Sequence, residues 1–150
     1  MRFMCWHVDY VKAEPKGAGR SGVIEQGSPV EAGESLLIFA NFEKKDESSK
    51  QNTVDAATFE IQKIAAQLKV GTIVLNPFAH LFGDNASPQE SAIMLSMLEK
   101  ALLDHNFTVK KMSFGIFYEL ELKAKGHPVP ERRAYPVMGL HLRSKHCVAP

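Results

Sequence analysis

Side chains able to transfer protons or bind charged groups are concentrated in three short segments: HVDY at 7–10, NPFAHL at 76–81 and KGHPVPE at 125–131. Histidine changes charge near neutral pH and can act as a general acid or base, whereas lysine and glutamate bind charged groups. Each residue also has an ordinary structural interpretation. His80 would bond to loop backbone, His127 would order the turn before Pro128, and Lys125 and Glu131 would be solvated charges. Each segment by itself leaves both interpretations open.

The common enzyme signatures do not occur in the sequence. There is no GxSxG, HExxH, P-loop or Rossmann glycine pattern. Cys5 and Cys147 are far apart and lack CxxC spacing, so neither a zinc site nor a disulfide framework is indicated. The sequence therefore predicts no metal and no cofactor.

Length and composition are typical of one globular domain. The chain has 150 residues, of which 45% are hydrophobic and 23% charged. The formal net charge of +1 gives no broad basic field, so any contact with RNA would come from a local patch. The start MRFMCWHVDY is too short and polar for a signal peptide, and no apolar run approaches the roughly 18 residues that span a bilayer. We expect a cytoplasmic protein without a membrane segment.

Hydrophobic periodicity predicts alternating strands and helices. Strands are expected over residues 2–8, 35–43, 72–75, 107–112 and 116–124, and helices from Asn52 or Thr53 and from Ser87-Pro88. Residues 12–33 have no helical period and are predicted as an irregular loop, with room for a short strand near 22–24. Helical crossovers favour parallel strand pairs, and the turn at 113–115 favours an antiparallel one. The fold class is therefore α/β, a single domain with a mixed β-sheet and two main helices.

The last predicted strand contains an exception to its own pattern. Residues 116, 118, 120, 122 and 124 share one face, and charged residues occupy the other. Phe117 interrupts the charged face, so it either covers a neighbouring element or lines a pocket. Beyond Pro128 the chain is rich in proline and basic residues, which indicates a domain over 1–133 and a linker or C-terminal edge over 134–150.

Taken together and in order, HVDY, NPFAHL, the FG-plus-aromatic segment at 114–117 and KGHPxxE resemble the amino-terminal editing domain of archaeal threonyl-tRNA synthetases. The resemblance covers roughly residues 1–133. It implies a D-aminoacyl-tRNA deacylase-like fold, a homodimer, and hydrolysis of L-serine wrongly attached to the 3' end of tRNA(Thr). It also implies a catalytic synthetase domain, either in the same chain or as a separate protein.

The resemblance also assigns roles to residues. Pro77 and Phe78 would line the pocket with Ala79 and His80, whose loop would position the ester and the attacking water. Asn41, Phe42 and Glu43 would contact the adenosine through their backbone. Glu131 would bind either the serine amino group or its own neighbours in the protein. The remaining substrate-side positions are Lys125, His127 and His7.

One position departs from the family pattern. Phe117 matches an aromatic of the family, but Tyr118 stands where better-known relatives carry a lysine. Either this copy is impaired, or catalysis rests on backbone groups, a held water and the 2'-hydroxyl of the terminal ribose. We favour the second interpretation and assign Ala79, His80, Phe117 and Tyr118 to the catalytic group. The alternatives are a D-aminoacyl-tRNA deacylase and a non-catalytic module for tRNA binding or dimerisation.

Overall fold

A mixed six-stranded sheet with two long helices forms the domain, which confirms the predicted α/β class. The structure, a computed structural model, describes residues 1–81 and 83–126. The strands are β1 (Arg2–Ala18), β2 (Val30–Ala32), β3 (Ser35–Asn41), β4 (Thr72–Pro77), β5 (Thr108–Lys111) and β6 (Ile116–Ala124). The helices are α1 (Lys50–Leu68) and α2 (Pro88–Asp104), with short 3-10 turns at Lys44–Ser49 and Ala79–Leu81.

Some of the strand pairs agree with the prediction and others do not. The pairs β3–β4 and β4–β5 are parallel, as predicted for strands joined through helices, whereas β1 pairs antiparallel with β2, β3 and β6. The predicted antiparallel pair across residues 113–115 is wrong, because β6 leaves β5 and pairs with β1. Gly115 has a φ of 76°, and a Cβ there would collide with the Val23 carbonyl oxygen. Only glycine makes this turn without strain, and the turn carries β6 away from β5.

The structure differs most from the prediction at residues 12–33, the segment predicted as a loop. β1 does not end near residue 8 but continues to Ala18, and the short strand lies at Val30–Ala32 rather than near 22–24. Buried Val11 and Ala13 alternate with exposed neighbours, yet register shifts at Val8/Tyr10 and Pro15/Gly17 interrupt the period. α1 also begins earlier than predicted, at Lys50, and Thr53 is buried inside its first turns.

The helices cover one face of the sheet and produce the larger core. Its buried members include Val54, Ile61, Met94, Leu98 and Leu102 of the helices and Leu36, Ile38, Ile73 and Leu75 of the sheet. At about 25 cal/mol per Å² of apolar surface removed from water, this layer is the main source of stability. The serine that caps α2 was predicted: Ser87 Oγ accepts from Glu90 N at 3.3 Å.

A second core lies on the sheet face opposite the helices. There β1 bends, and its second half with β2 and β6 packs over β3, β4 and the residue after β5. The members are Val8, Val11, Ala13, Val30, Ala32, Leu37, Phe39, Val74 and Met112, with Trp6, Phe78, Tyr118, Leu120 and Leu122 packed against them. A hydrogen bond from Lys110 Nζ to the Glu31 carbonyl oxygen joins β5 to β2. The sheet is therefore strongly curled around this second core.

No helix in the described part of the chain is long and apolar enough to cross a membrane.

Candidate functional site

The chain segments that follow β3 and β4 meet at one edge of the sheet. The two strands are parallel neighbours, so their carboxyl ends coincide, which is where α/β folds place ligand sites. Phe78 N donates to the Ala40 carbonyl oxygen at 2.8 Å, and Ala86 N donates to that of Phe42 at 2.9 Å. The structure thus brings the predicted segments 41–43 and 77–80 together with residues 83–86. We call this group of segments the strand-end site.

Asn85 connects the parts of the strand-end site. Asn41 Nδ2 donates to Asn85 Oδ1 at 2.9 Å, and Asn85 Nδ2 donates to the Ala79 carbonyl oxygen at 3.0 Å. Asn85 also forms an isolated antiparallel bridge with Glu43. Asn85 was missed by the sequence reasoning, since the polar run before α2 is the only signal it gives.

Asn85→Ala is expected to loosen residues 77–81 because Ala79 loses its side-chain donor. The expected loss is about 1 kcal/mol of unfolding free energy and faster amide exchange at residues 78–80. Urea denaturation and hydrogen exchange measure the two effects. Asn52→Ala is the matched control, since Asn52 is exposed on α1 and its side chain has no hydrogen bond in the described structure. Equal exchange in both variants would contradict the role of Asn85.

A row of aromatic rings leads from the second core to the surface of the strand-end site. The ring centroids of Trp6 and Phe39 lie 5.3 Å apart, those of Phe39 and Phe78 5.5 Å, and those of Phe78 and His80 5.7 Å, all edge to face. His80 is exposed, and its imidazole lies against the ring of Phe78. The row gives the site one apolar wall and a histidine at its outer end.

The Glu43 carboxylate is used inside the protein. Glu43 is buried, with Oε1 3.0 Å from Arg2 Nη2 and Oε2 3.3 Å from Lys45 Nζ. Its backbone N–H donates to Asp46 Oδ2 at 2.8 Å. These contacts hold the Glu43 side chain in place inside the protein. A ligand would therefore contact residues 41–43 through their other backbone groups.

Phe117 and Tyr118 lie on opposite faces of β6. Tyr118 packs into the second core, where its hydroxyl accepts from Ser113 N and donates to the Ser28 carbonyl oxygen, both at 3.1 Å. Phe117 is 60% exposed and lies beside Gly19. The structure therefore places Phe117 on the outer surface of the curled sheet and Tyr118 inside it.

The Tyr118 hydroxyl lies near the end of β4. Its partner Ser113 follows Met112, whose backbone N–H donates to the Leu75 carbonyl oxygen at 2.9 Å. The curl of the sheet thus brings Tyr118 to the neighbourhood of the strand-end site. Both hydrogen-bonding functions of the hydroxyl are nevertheless engaged by backbone.

Tyr118→Phe is expected to destabilise the fold by about 1 to 3 kcal/mol, because the Ser113 N–H is left buried without an acceptor. Urea denaturation measures the change. Tyr10→Phe is the control: the Tyr10 hydroxyl donates to Glu121 at an exposed site, so its loss should stay within about 0.5 kcal/mol. Equal stability of the Tyr118→Phe variant and the unaltered chain would contradict this account.

His7 and Lys125 belong to a separate ionic cluster at the other end of β3. His7 Nε2 lies 3.1 Å from Glu34 Oε1, and Lys125 pairs with Glu34 and, at 3.4 Å, with Asp9. Lys125 N donates to the His7 carbonyl oxygen at 2.8 Å. β3 has 7 residues, so this end lies about 20 Å from Asn41 at ~3.3 Å per residue. His127 and Glu131, the other predicted residues of KGHPxxE, lie outside the described residues.

The pKa values in this cluster follow its ion pairs. The hydrogen bond from Lys125 lowers the pKa of Glu34, and the same bond raises the pKa of Lys125. The hydrogen bond from Lys123 lowers the pKa of Asp9. Carboxylates with a depressed folded-state pKa stabilise the fold above their ordinary values of 4.5 and 3.8, and this stability is lost as the pH falls through the folded value. The lysine contributes stability below 10.5 that is lost as the pH rises through its higher folded value.

Lys125→Met is therefore expected to lower the melting temperature at pH 7, and this difference from the unaltered chain should shrink as the pH falls below about 4. The charges are partly exposed, so 1 M salt should shrink the difference too. Thermal unfolding between pH 3 and 7 tests both. Lys100→Met is the control, because Lys100 is exposed on α2 and has no ion pair in the described ranges. A pH-independent difference would contradict the ionic origin.

Among the described residues, no group of three or more His, Cys, Asp or Glu side chains is placed to hold a metal ion.

Comparison with known families identifies the class of domain. A family model described as the archaea-specific editing domain of threonyl-tRNA synthetase matches residues 1–133. The chain belongs to this family, as its motifs predicted. It is similar to threonine–tRNA ligases of Methanocaldococcus jannaschii, 32% identical over 131 residues, and of Thermococcus onnurineus, 32% identical over 134 residues. Each comparison covers 87% of this chain and 21% of the relative, so the chain spans about a fifth of the length of these curated relatives.

Proposed function

We propose that this domain is a proofreading deacylase that hydrolyses L-serine from mischarged tRNA(Thr). Membership of the editing-domain family supports the reaction class. The observation that carries the proposal is the strand-end site, where Asn85 and the end of β3 fix an accessible loop ending in His80. Hydrolysis of an activated ester needs mainly orientation and stabilisation of the oxyanion, and a fixed loop at a strand end provides both.

The chemistry of the two amino acids explains the need for such a site. Serine and threonine both carry a hydroxyl, so a synthetic site tells them apart by one methyl group, worth about 1 to 3 kcal/mol. A second pocket that admits serine and has no room for the extra methyl of threonine multiplies this discrimination, because overpacking also costs about 1 to 3 kcal/mol. The rings of Phe39 and Phe78 are rigid surfaces that can limit the size of the side chain admitted to the pocket.

Each segment of the site has its own proposed role. Pro77 and Phe78 line the pocket, and the backbone of Ala79 with the imidazole of His80 orients the ester and the water. Backbone groups of 41–43 contact the terminal adenosine. Since the Tyr118 hydroxyl is held by backbone, the proton transfer is assigned to the 2'-hydroxyl of the substrate's ribose. Phe117 contributes an outward-facing aromatic.

The ionic cluster at the opposite end of β3 supports the final segment of the domain. His7 and Lys125 hold the chain as it enters KGHPxxE, from which Glu131 would bind the substrate's amino group or its own neighbours, and His127 is kept among the proposed substrate-side residues. The domain would act as a homodimer on the 3' end of tRNA(Thr), with a synthetase domain in the same chain or in a separate protein. Residues 134–150 would lead from the domain toward such a partner.

The deciding experiment compares seryl and threonyl esters on the same tRNA(Thr). The seryl ester should be hydrolysed well above the buffer rate and at least about tenfold faster than the threonyl ester. D-Tyrosyl-tRNA is measured beside them, and preference for it would indicate a D-aminoacyl-tRNA deacylase instead.

A non-catalytic tRNA-binding or dimerisation module is the second candidate, favoured by the engaged hydroxyl of Tyr118. It predicts binding of a non-hydrolysable seryl-adenosine analogue without any turnover of the seryl ester.

A further inference from the structure

One nearly buried polar side chain on the second-core face has no role in the structure described so far. Asn76 is 8% exposed and immediately precedes Pro77 at the end of β4. In the described part of the chain its amide makes no hydrogen bond. Neither polar atom of this amide is among the fully buried, unpaired side-chain atoms of the described residues, so the amide reaches the surface and is available to a ligand.

The sheet register fixes the surroundings of Asn76. Asn76 pairs with Phe39 across the parallel β3–β4 ladder, so the two side chains leave the same face of the sheet. Phe39 belongs to the second core and contacts Phe78. Asn76 therefore projects beside the aromatic row, next to the loop that forms the strand-end site.

A second polar group on this face also lacks a partner. The indole N–H of Trp6 is buried without an acceptor among the described residues, and the Trp6 ring lies against Phe39 on the other side from β4. The second core is built mainly of apolar side chains, with Tyr118 packed against it and the buried Ser35 hydroxyl on the same face of β3, and no charged side chain is among its described members. An uncharged polar group entering here finds an amide partner, whereas a charged one would lose its hydration without a counter-charge.

We propose that the Asn76 amide binds the side-chain hydroxyl of the seryl group and so makes the site specific for hydroxyl-bearing amino acids. An amide offers both a donor and an acceptor, which matches the one donor and the acceptor capacity of a hydroxyl. The α-amino group is charged and is left at the outer, polar end of the site. This assignment rests on the proposed deacylase function and adds to it the residue that recognises the substrate's side-chain hydroxyl.

Size alone does not give an editing site the selectivity it needs. A pocket that excludes threonine by its methyl group still admits alanine and glycine, which are smaller than serine. A site built to hydrogen-bond a hydroxyl rejects analogues that lack it, because its own polar group is then left unpaired. Asn76 supplies this second criterion, and the aromatic rings supply the limit on size.

The experiment measures hydrolysis of seryl and alanyl esters on the same tRNA(Thr) by the full 150-residue chain and by Asn76→Ala. The unaltered chain should prefer the seryl ester by at least about tenfold, and Asn76→Ala should lose most of that preference, because seryl hydrolysis falls and the alanyl ester no longer leaves an amide unpaired. The seryl-to-threonyl ratio should change little, because both amino acids carry the hydroxyl. An unchanged seryl-to-alanyl ratio in the variant overturns the proposal.

Asn76→Leu separates recognition from folding. Leucine has a similar volume and no polar group, so this variant should melt no lower than the unaltered chain and still lose the preference for serine. A lower melting temperature would show that the amide is satisfied within the fold and would overturn the proposal. Asn52→Ala, exposed on α1, should change neither property.

A binding measurement keeps this inference distinct from the proposed function. Seryl- and alanyl-adenosine joined by a 3'-amide are not hydrolysed, and calorimetry gives their affinities directly. If the chain fails to hydrolyse seryl-tRNA, the deacylase function fails, but a preference for the seryl analogue that depends on Asn76 still supports the recognition role. Equal affinities for the two analogues overturn it whether or not the chain is active.

Discussion

Replacing the 2'-hydroxyl of the terminal adenosine by hydrogen is expected to slow the hydrolysis of seryl-tRNA(Thr) by about 10² to 10⁴-fold, the range typical of a lost proton-transfer group. The reason lies in Tyr118. At the position where the family resemblance led us to expect a lysine, this chain holds a hydroxyl that already accepts from Ser113 and donates to Ser28. The substrate's own hydroxyl is then the best-placed group to direct the attacking water. Single-turnover kinetics with the two substrates measures the effect.

The control for this experiment is the uncatalysed reaction. A neighbouring hydroxyl also assists spontaneous hydrolysis, so the ratio of enzymatic to buffer rate is compared between the two esters. Binding of each ester is measured separately, since a lost contact would raise the dissociation constant without changing the chemical step. An enzymatic rate that is the same with the deoxy substrate would contradict the substrate-assisted mechanism.

Phe39→Ala is expected to reduce the unfolding free energy by about 3 to 5 kcal/mol, a large part of the total of about 5 to 15 kcal/mol for a small domain. Phe39 is 5% exposed, and its ring contacts both Trp6 and Phe78. Truncation leaves a cavity in the second core and removes the ring that supports the wall of the strand-end site. Urea denaturation measures the loss, and the slope of the transition shows whether it stays two-state.

Two further variants serve as controls for the Phe39→Ala prediction. Phe39→Leu keeps most of the volume and should cost less than about 1.5 kcal/mol. Phe59→Ala makes the same chemical change on the surface of α1, where the ring is 56% exposed, and should stay within about 0.5 kcal/mol. A cost for Phe39→Ala no larger than that of Phe59→Ala would show that the second core does not support the fold.

The elements with strong local signals were predictable from the sequence. The cap at Ser87 with Pro88, the apolar stripes of the two helices and the alternation of β6 depend on neighbours in the chain, and all were found. The segments 41–43 and 77–80 were assigned to one site by the family resemblance, and the place of His80 beyond the end of a strand agreed with where α/β folds bind ligands. Family membership followed from the same segments, since motifs keep their order and spacing in the sequence.

The path of β1 and the surroundings of the site residues were decided only by tertiary structure. The register shifts in β1 hide its period, so neither its length nor its pairing with β6 is visible locally. That pairing curls the sheet, buries Tyr118 and leaves Phe117 outside, although the two residues are adjacent in sequence. Burial and hydrogen bonding depend on residues distant in the chain, such as Ser28 for Tyr118 and Asn85 for Asn41. Local sequence patterns do not contain these partners, because packing alone determines which distant segments meet.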